Sequence, residues 1–315
     1  MLYTEYWDLD FPPFTDEYKV GGMVPTRNSS LVIGRLRFAL GMNRTIAAVF
    51  GEAGVGKTFL IRVLMEEFKE ANWLVGYLPN PCADARDILE LYRPDIVRTL
   101  PVKANGMSEL RNFLTEQADI MQPVLLAVDD VQASRNTDFL ELIRTLMNIE
   151  SGGKKPMSVL LGGQPSMALR LESASRMDTQ LSVKAVVTPM LEDEAKLYIL
   201  SRLKTAGSKQ GVFTKQAADR VVELTKGYPR QMNRLCELAL VIAFGLGVKK
   251  IDPTTIEMAA ADLDLLPAEE TVFFPWERQK PKKRPPEENA PPDEEDVLAS
   301  LDAEAKEEKE QPITQ

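Results

Sequence analysis

The sequence predicts an α/β fold: a parallel sheet flanked by helices and built around a phosphate-binding loop, followed by a small all-helical domain and a disordered acidic tail. Three observations carry this. The string Gly51-Glu52-Ala53-Gly54-Val55-Gly56-Lys57-Thr58 fits G-x-x-x-x-G-K-[ST] in full. From about Leu31 to Ser166, short apolar runs alternate with helical ones, the pattern of a parallel sheet with helices on both faces. After Glu192 only helical spacing remains, and from Pro267 the composition turns rich in Pro, Glu and Lys.

The first stretch, Tyr3 to Phe14, is aromatic and holds Pro12-Pro13, so residues 1–28 read as an extended segment that packs on the surface of the folded domains or lies beside a bound nucleotide. The α/β domain is expected over 29–190: a helix near 29–42, strand 45–50, the glycine-rich loop, helix 58–71, strand 73–78, helices between about 83 and 120, strand 123–128, helix 136–149 and strand 157–162. Asp193 to Lys204, Thr214 to Lys226, Arg230 to Phe244 and Pro253 to Leu263 space their apolar residues helically and form a lid domain over 191–266, with Thr214 as an N-cap and Gly227 as a stop. Residues 267–315 bury too little apolar surface to order themselves. Within them, Phe273-Phe-Pro-Trp276 and the 296–305 stretch read as solvated linker or as docking segments for a protein partner.

Apolar residues make up 44% of the 315, enough for a core without disulfides. Cys82 and Cys236 stand far apart and histidine is absent, which excludes zinc sites of the usual spacing, histidine triads and histidine pH switches. The start carries no basic and apolar leader pattern and no uncharged apolar run reaches membrane-spanning length, so a cytoplasmic, soluble protein without a membrane span is expected. Net charge is −9, and residues 276–315, with 7 Lys/Arg against 12 Asp/Glu, hold more than half of the excess. The nearly neutral remainder argues against a broad nonspecific DNA-binding surface.

The loop's chemistry comes from its residue types. It joins the apolar run Thr45-Ile-Ala-Ala-Val-Phe50 to the helical run that starts at Phe59, so it presents backbone N–H groups at a helix N-terminus, where phosphate oxygens bind. Gly51 through Phe59 therefore form the nucleotide-binding segment, with Lys57 on the β/γ-phosphates of ATP and Thr58 on Mg²⁺. The buried-strand pattern Pro123-Val-Leu-Leu-Ala-Val-Asp129-Asp130 ends in two carboxylates: Asp129 takes the place of the Mg²⁺-associated acid, and Asp130 that of the group that orients or deprotonates the attacking water.

Several further strings make a family resemblance specific: Tyr6-Trp-Asp-Leu-Asp-Phe-Pro-Pro-Phe14, Tyr77-Leu-Pro-Asn-Pro81, Leu146-Met-Asn-Ile-Glu150, Gly163-Gln-Pro165, and Gly227-Tyr-Pro-Arg230 leading into Asn233-Arg-Leu-Cys236. Across roughly residues 1–265 the chain resembles the ATPase domain of the general secretion pathway protein A (ExeA-like) family of AAA+ ATPases. The resemblance implies a Walker A P-loop NTPase with Gln164 at the sensor position and Arg230 as the second-sensor arginine that reaches the phosphates from the lid. It also implies nucleotide-dependent homo-oligomers and action on a protein partner.

Two departures stand out. Asp130 replaces the family's usual glutamate, shortening the water-orienting carboxylate by about 1 Å, a displacement that can cost about 100-fold in rate. Where the family tends to place an arginine before the last strand, this chain reads Gln180-Leu-Ser-Val183, leaving Arg170 and Arg176 as the nearest substitutes. Slow hydrolysis with intact binding is the expectation. An ATP-gated DNA-binding regulator like the transposition ATPases TnsC and MuB is the alternative, less favoured because the chain has no recognisable DNA-binding appendage. A scaffold with a dead site fits poorly with Lys57, Thr58 and Asp129 all present.

Overall fold

The computed structural model describes residues 2–15, 23–42, 45–81, 84–101, 104–133, 138–168 and 181–266. Five parallel strands, β1 (Ile46–Phe50), β2 (Leu74–Leu78), β3 (Val124–Val128), β4 (Met157–Gly163) and β5 (Leu181–Val186), make one sheet in the order β2-β3-β4-β1-β5. β1 and β3 are buried along their whole length, so their sequences are continuously apolar. Their side chains still alternate between two cores. Ile46, Ala48, Phe50, Leu126 and Val128 face one, with α4 (Ala85–Tyr92), α6 (Met107–Asp119) and α7 (Asp138–Met147). Ala47, Val49, Leu125 and Ala127 face the other, with α2 (Arg27–Gly41) and α3 (Lys57–Glu70). A short α5 (Pro94–Val97) links α4 to α6.

A third core is all-helical. It joins α8 (Glu192–Thr205), α9 (Lys215–Thr225), α10 (Pro229–Gly245) and α11 (Pro253–Asp262). Local chemistry sets their ends: Thr214 Oγ1 accepts from Ala217 N at 3.1 Å, and Asp252 Oδ1 accepts from Thr255 N at 2.9 Å.

Two features differ from the sequence expectation. Leu181–Val186 adds a fifth strand that the pattern of apolar runs did not show, though the resemblance implied a last strand near it; among the described residues it pairs with β1 alone, and Val186 is 54% exposed, so the apolar signal of a central strand is missing. The N-terminal stretch is not simply extended. Tyr3–Tyr6 forms a helical turn, α1, and Trp7 and Phe14 are buried in the helical core rather than against the sheet. There the Trp7 indole donates to Leu240 O at 3.1 Å, while Arg202 donates from Nε to Pro13 O and from Nη2 to Thr15 O, both at 2.6 Å. Among the described residues, no helix is long and apolar enough to cross a membrane. Cys82 and the 267–315 tail, with its two docking candidates, lie outside the described residues; Cys236 is buried in the helical core.

The turn between α9 and α10 admits only glycine. Gly227 has φ +75°, Met190 N donates to its carbonyl at 2.9 Å, and a Cβ there would sit 2.1 Å from Met190 O. Gly227→Ala is expected to destabilise the protein by well over about 1 kcal/mol in denaturant unfolding. Parental stability would show that the turn has another conformation open to it.

Candidate nucleotide-binding site

The P-loop leaves β1 where that strand is held on both sides. Gly51 N donates to Gly163 O of β4 at 3.2 Å, and Val187 N donates to Phe50 O at 2.7 Å just beyond β5. The loop ends at Gly56, whose φ of 100° turns the chain into α3 without a side-chain cap. Gly56 has no side chain to cap the first turn of α3, and a glycine-led helix start of this kind is suited to receive an anion.

Lys57 is 7% exposed, and its ammonium donates to Gly51 O and Glu52 O, both at 2.9 Å. Burial lowers its pKa below the usual lysine value, while the negative charges of Asp129 and Asp130 pull it back up and Arg230 pushes it down. The Thr58 hydroxyl, on the next residue, donates to Asp129 Oδ2. Asp129 is 3% exposed and stands at the end of β3, its N–H on Leu78 O at 2.9 Å. Its other carboxylate oxygen, Oδ1, accepts from Asp130 N at 2.9 Å and leans on Gly162 of β4, where a Cβ would come within 2.6 Å of it.

Asp130 is exposed and adopts φ 46°, uncommon for a residue other than glycine. Its Oδ1 accepts from Gln132 Nε2 at 2.9 Å, and Gln132 Oε1 accepts from Gln164 N at 3.0 Å. From the other side the first turn of α10 rests on the loop. Arg230 N donates to Gly54 O at 3.2 Å, and the Tyr228 hydroxyl donates to the Glu52 carboxylate, which raises the tyrosine's pKa.

These groups wall one cavity of about 490 Å³. Ala53 through Phe59, Asp130, Gln132, Gln164 and Arg230 line one part of it; Met23, Val24, Met190, Tyr198, Arg202 and Asn233 also face it. Asp129 is reached through Thr58. Of the residues singled out from the sequence for nucleotide or Mg²⁺, Ala53 through Phe59, Asp130, Gln164 and Arg230 line this cavity, while Asp129 lies behind it and Gly51 and Glu52 are the acceptors of Lys57. Sequence reasoning missed Gln132, Tyr228 and the Tyr198–Arg202–Asn233 group. Tyr228 stands two residues before Arg230 in one of the strings that carry the family resemblance, but its contact with Glu52 spans 176 residues and leaves no local signal. The substitute arginines Arg170 and Arg176 lie outside the described residues.

A parallel sheet whose strand ends carry a P-loop lysine and threonine beside a buried aspartate, with a helical bundle resting on the loop, defines the AAA+ class of P-loop NTPases, and this chain has that fold. Residues 40–171 match the family model described as an AAA domain. The chain is similar to General secretion pathway protein A of Aeromonas hydrophila, 27% identical over 269 residues. That match covers 83% of this chain and 48% of the relative, so the chain spans about half the length of the protein it resembles. Among solved structures, the Aeropyrum pernix ORC2 protein in its ADPNP-ADP complexes is similar with a TM-score of 0.63 at 16% identity, covering 80% of this chain and 71% of that one. Cdc6p from Pyrobaculum aerophilum gives a TM-score of 0.62 at 18% identity, over 79% and 70%.

The close approach of Gly162 to Asp129 sets a test of the site's packing. Gly162→Ala places a methyl group against Asp129 Oδ1 and, at 2.5 Å, Ile61 Cδ1. A stability loss of about 1–3 kcal/mol is expected from such overpacking, read by thermal or urea unfolding. An unchanged midpoint would show that β4 and β3 separate without cost.

Proposed function

We propose that this protein binds ATP with Mg²⁺ in the cavity and hydrolyses it slowly, using nucleotide state to act on a protein partner. The observation that carries the reading is the joint placement of Lys57, Thr58 and Asp129 under one loop, with the start of α10 resting on that loop. The Aeropyrum pernix relative, whose structure holds adenine nucleotides, supports ATP as the nucleotide.

In this reading the loop N–H groups and the first turn of α3 bind the phosphates. Lys57 exchanges its two carbonyl acceptors for β/γ-phosphate oxygens, a charge-assisted contact stronger than the bonds it leaves. Thr58 and Asp129 would hold Mg²⁺. A hydroxyl already in contact with a carboxylate is the hard oxygen set that ion takes, and bound there it neutralises charge on the phosphate oxygens. Asp130 orients the attacking water, with a reach shorter than a glutamate's, hence slow turnover. Arg230 and Gln164 respond to the phosphate from α10 and from the end of β4, and the direct contact of Arg230 N with Gly54 O gives the loop a handle on the helical core.

The similarity to a general secretion pathway protein is in keeping with action on a protein partner, and nucleotide-dependent self-association is part of the same proposal. The exposed Leu31, Phe38 and Met42 on and just after α2 offer apolar surface for such a contact.

Lys57→Ala is expected to remove measurable ATP binding in calorimetric titration, because the backbone alone leaves the phosphate charge partly uncompensated. Affinity equal to the parent's would sink the site assignment. Asp130→Asn is expected to bind Mg²⁺–ATP within about threefold of the parent yet release phosphate about 100-fold more slowly. Parental turnover in that variant would take Asp130 out of the reaction.

A further inference from the structure

We propose that Gln132 is a positioning residue for hydrolysis, which fixes the carboxylate of Asp130 and ties it to the end of β4. The inference rests on the reading of Asp130 as the group that handles water. Gln132 stands in the turn Val131–Ala133 that comes after β3, half-buried against the cavity. Its amide spans two strand ends. Nε2 donates to Asp130 Oδ1 at 2.9 Å, and Oε1 accepts from Gln164 N at 3.0 Å.

The orientation of that amide is dictated by its partners. A backbone N–H can only donate, so Gln164 takes the oxygen; an ionised carboxylate can only accept, so Asp130 takes the nitrogen. Neither a carboxylate nor an aliphatic side chain at position 132 serves both. The space is equally specific: a Cβ on Gly163 would sit 3.3 Å from Gln132 Oε1 and 2.7 Å from Val131 Cγ2. Asp130 is thereby held at two points, its N–H on Asp129 Oδ1 and its Oδ1 on Gln132, in a left-handed conformation that needs support.

With Oδ1 engaged by the amide, Oδ2 is the oxygen that meets the water. As the water oxygen bonds to the γ-phosphorus, the bond from that phosphorus to the β–γ bridging oxygen breaks and its electron pair leaves with ADP. The water's proton passes to Asp130 Oδ2 and then to the released phosphate. Gln132 touches none of the reacting atoms. It decides where Asp130 points, and it makes that direction depend on the main chain at position 164, the residue after β4. Position 164 thus acts on the acid through its N–H, which any residue but proline supplies.

The test compares Gln132→Met, close in length but without the amide, with the parent, with Asp130→Asn and with the double variant, all as the full chain. The readouts are steady-state phosphate release with ATP and Mg²⁺, and thermal unfolding. Gln132→Met is expected to lower kcat about 10- to 30-fold with KM within about threefold, because it misplaces the acid without touching the nucleotide. In the Asp130→Asn background the same change should alter kcat by less than about twofold, since its effect runs through Asp130. If Gln132→Met melts far below the parent, Gln132→Ala takes its place in the same comparison. A Gln132 variant with parental kcat beside a disabled Asp130→Asn overturns this inference and leaves the proposed function standing. So does an equal loss in both backgrounds, which marks a merely structural strut. A parent that releases no phosphate, or Asp130→Asn at the parental rate, overturns the catalytic reading and this inference with it.

Discussion

A buried ammonium has to be met by acceptors, and Lys57, 7% exposed, is the charge around which the site is organised. Burial acts against its charge, and the carboxylates of Asp129 and Asp130 act for it. The acceptors come from the two peptides just after β1, and the compensating carboxylates from the end of β3. These two strands are not neighbours. β4 lies between them, and for the carboxylate of Asp129 to lie over it, β4 must carry a residue with no side chain at Gly162. One charge thus constrains the loop, the acidic pair and the glycine end of β4.

The helical part meets the same loop from outside. Gly54 O accepts from Arg230 N, and the Tyr228 hydroxyl reaches Glu52, so the first turn of α10 is registered against the P-loop. The tyrosine pair is exposed and screened, and adds direction more than stability. What anchors α10 is its buried face, with Met232, Leu235, Cys236, Ala239 and Leu240 in the helical core. Trp7 and Phe14 close that core from the N-terminal side, and Arg202, which donates to Pro13 O and Thr15 O, also faces the cavity. A shift at the loop therefore bears on a body packed as one piece.

How legible each part was in the sequence depends on whether its cause is local. β1 and β3 were readable because burial on both faces makes every residue apolar, and the P-loop because its backbone turns and its lysine fall within eight consecutive residues. β5 was not, since a strand at the sheet edge with Val186 half-exposed shows no such run. The aromatic content of Tyr3 to Phe14 was visible, but which core would receive it depends on contacts more than 200 residues away, such as Trp7 with Leu240. Gln132 lies between these cases. One partner is two residues back, but the other is 32 residues on, brought near only when β3 and β4 pair.

That pairing also bears on how an aspartate at position 130 could take the role proposed for it. A shorter acid has one torsion fewer to fix, so holding it in one orientation costs less conformational entropy than holding a glutamate. It also has less reach, so its direction must come from its surroundings. Here the surroundings supply it twice, through the backbone bond to Asp129 and the side-chain bond from Gln132. The short acid at position 130 and the amide at 132 are in this sense one feature: the direction of the carboxylate is set less by its own side chain than by the junction between two strand ends.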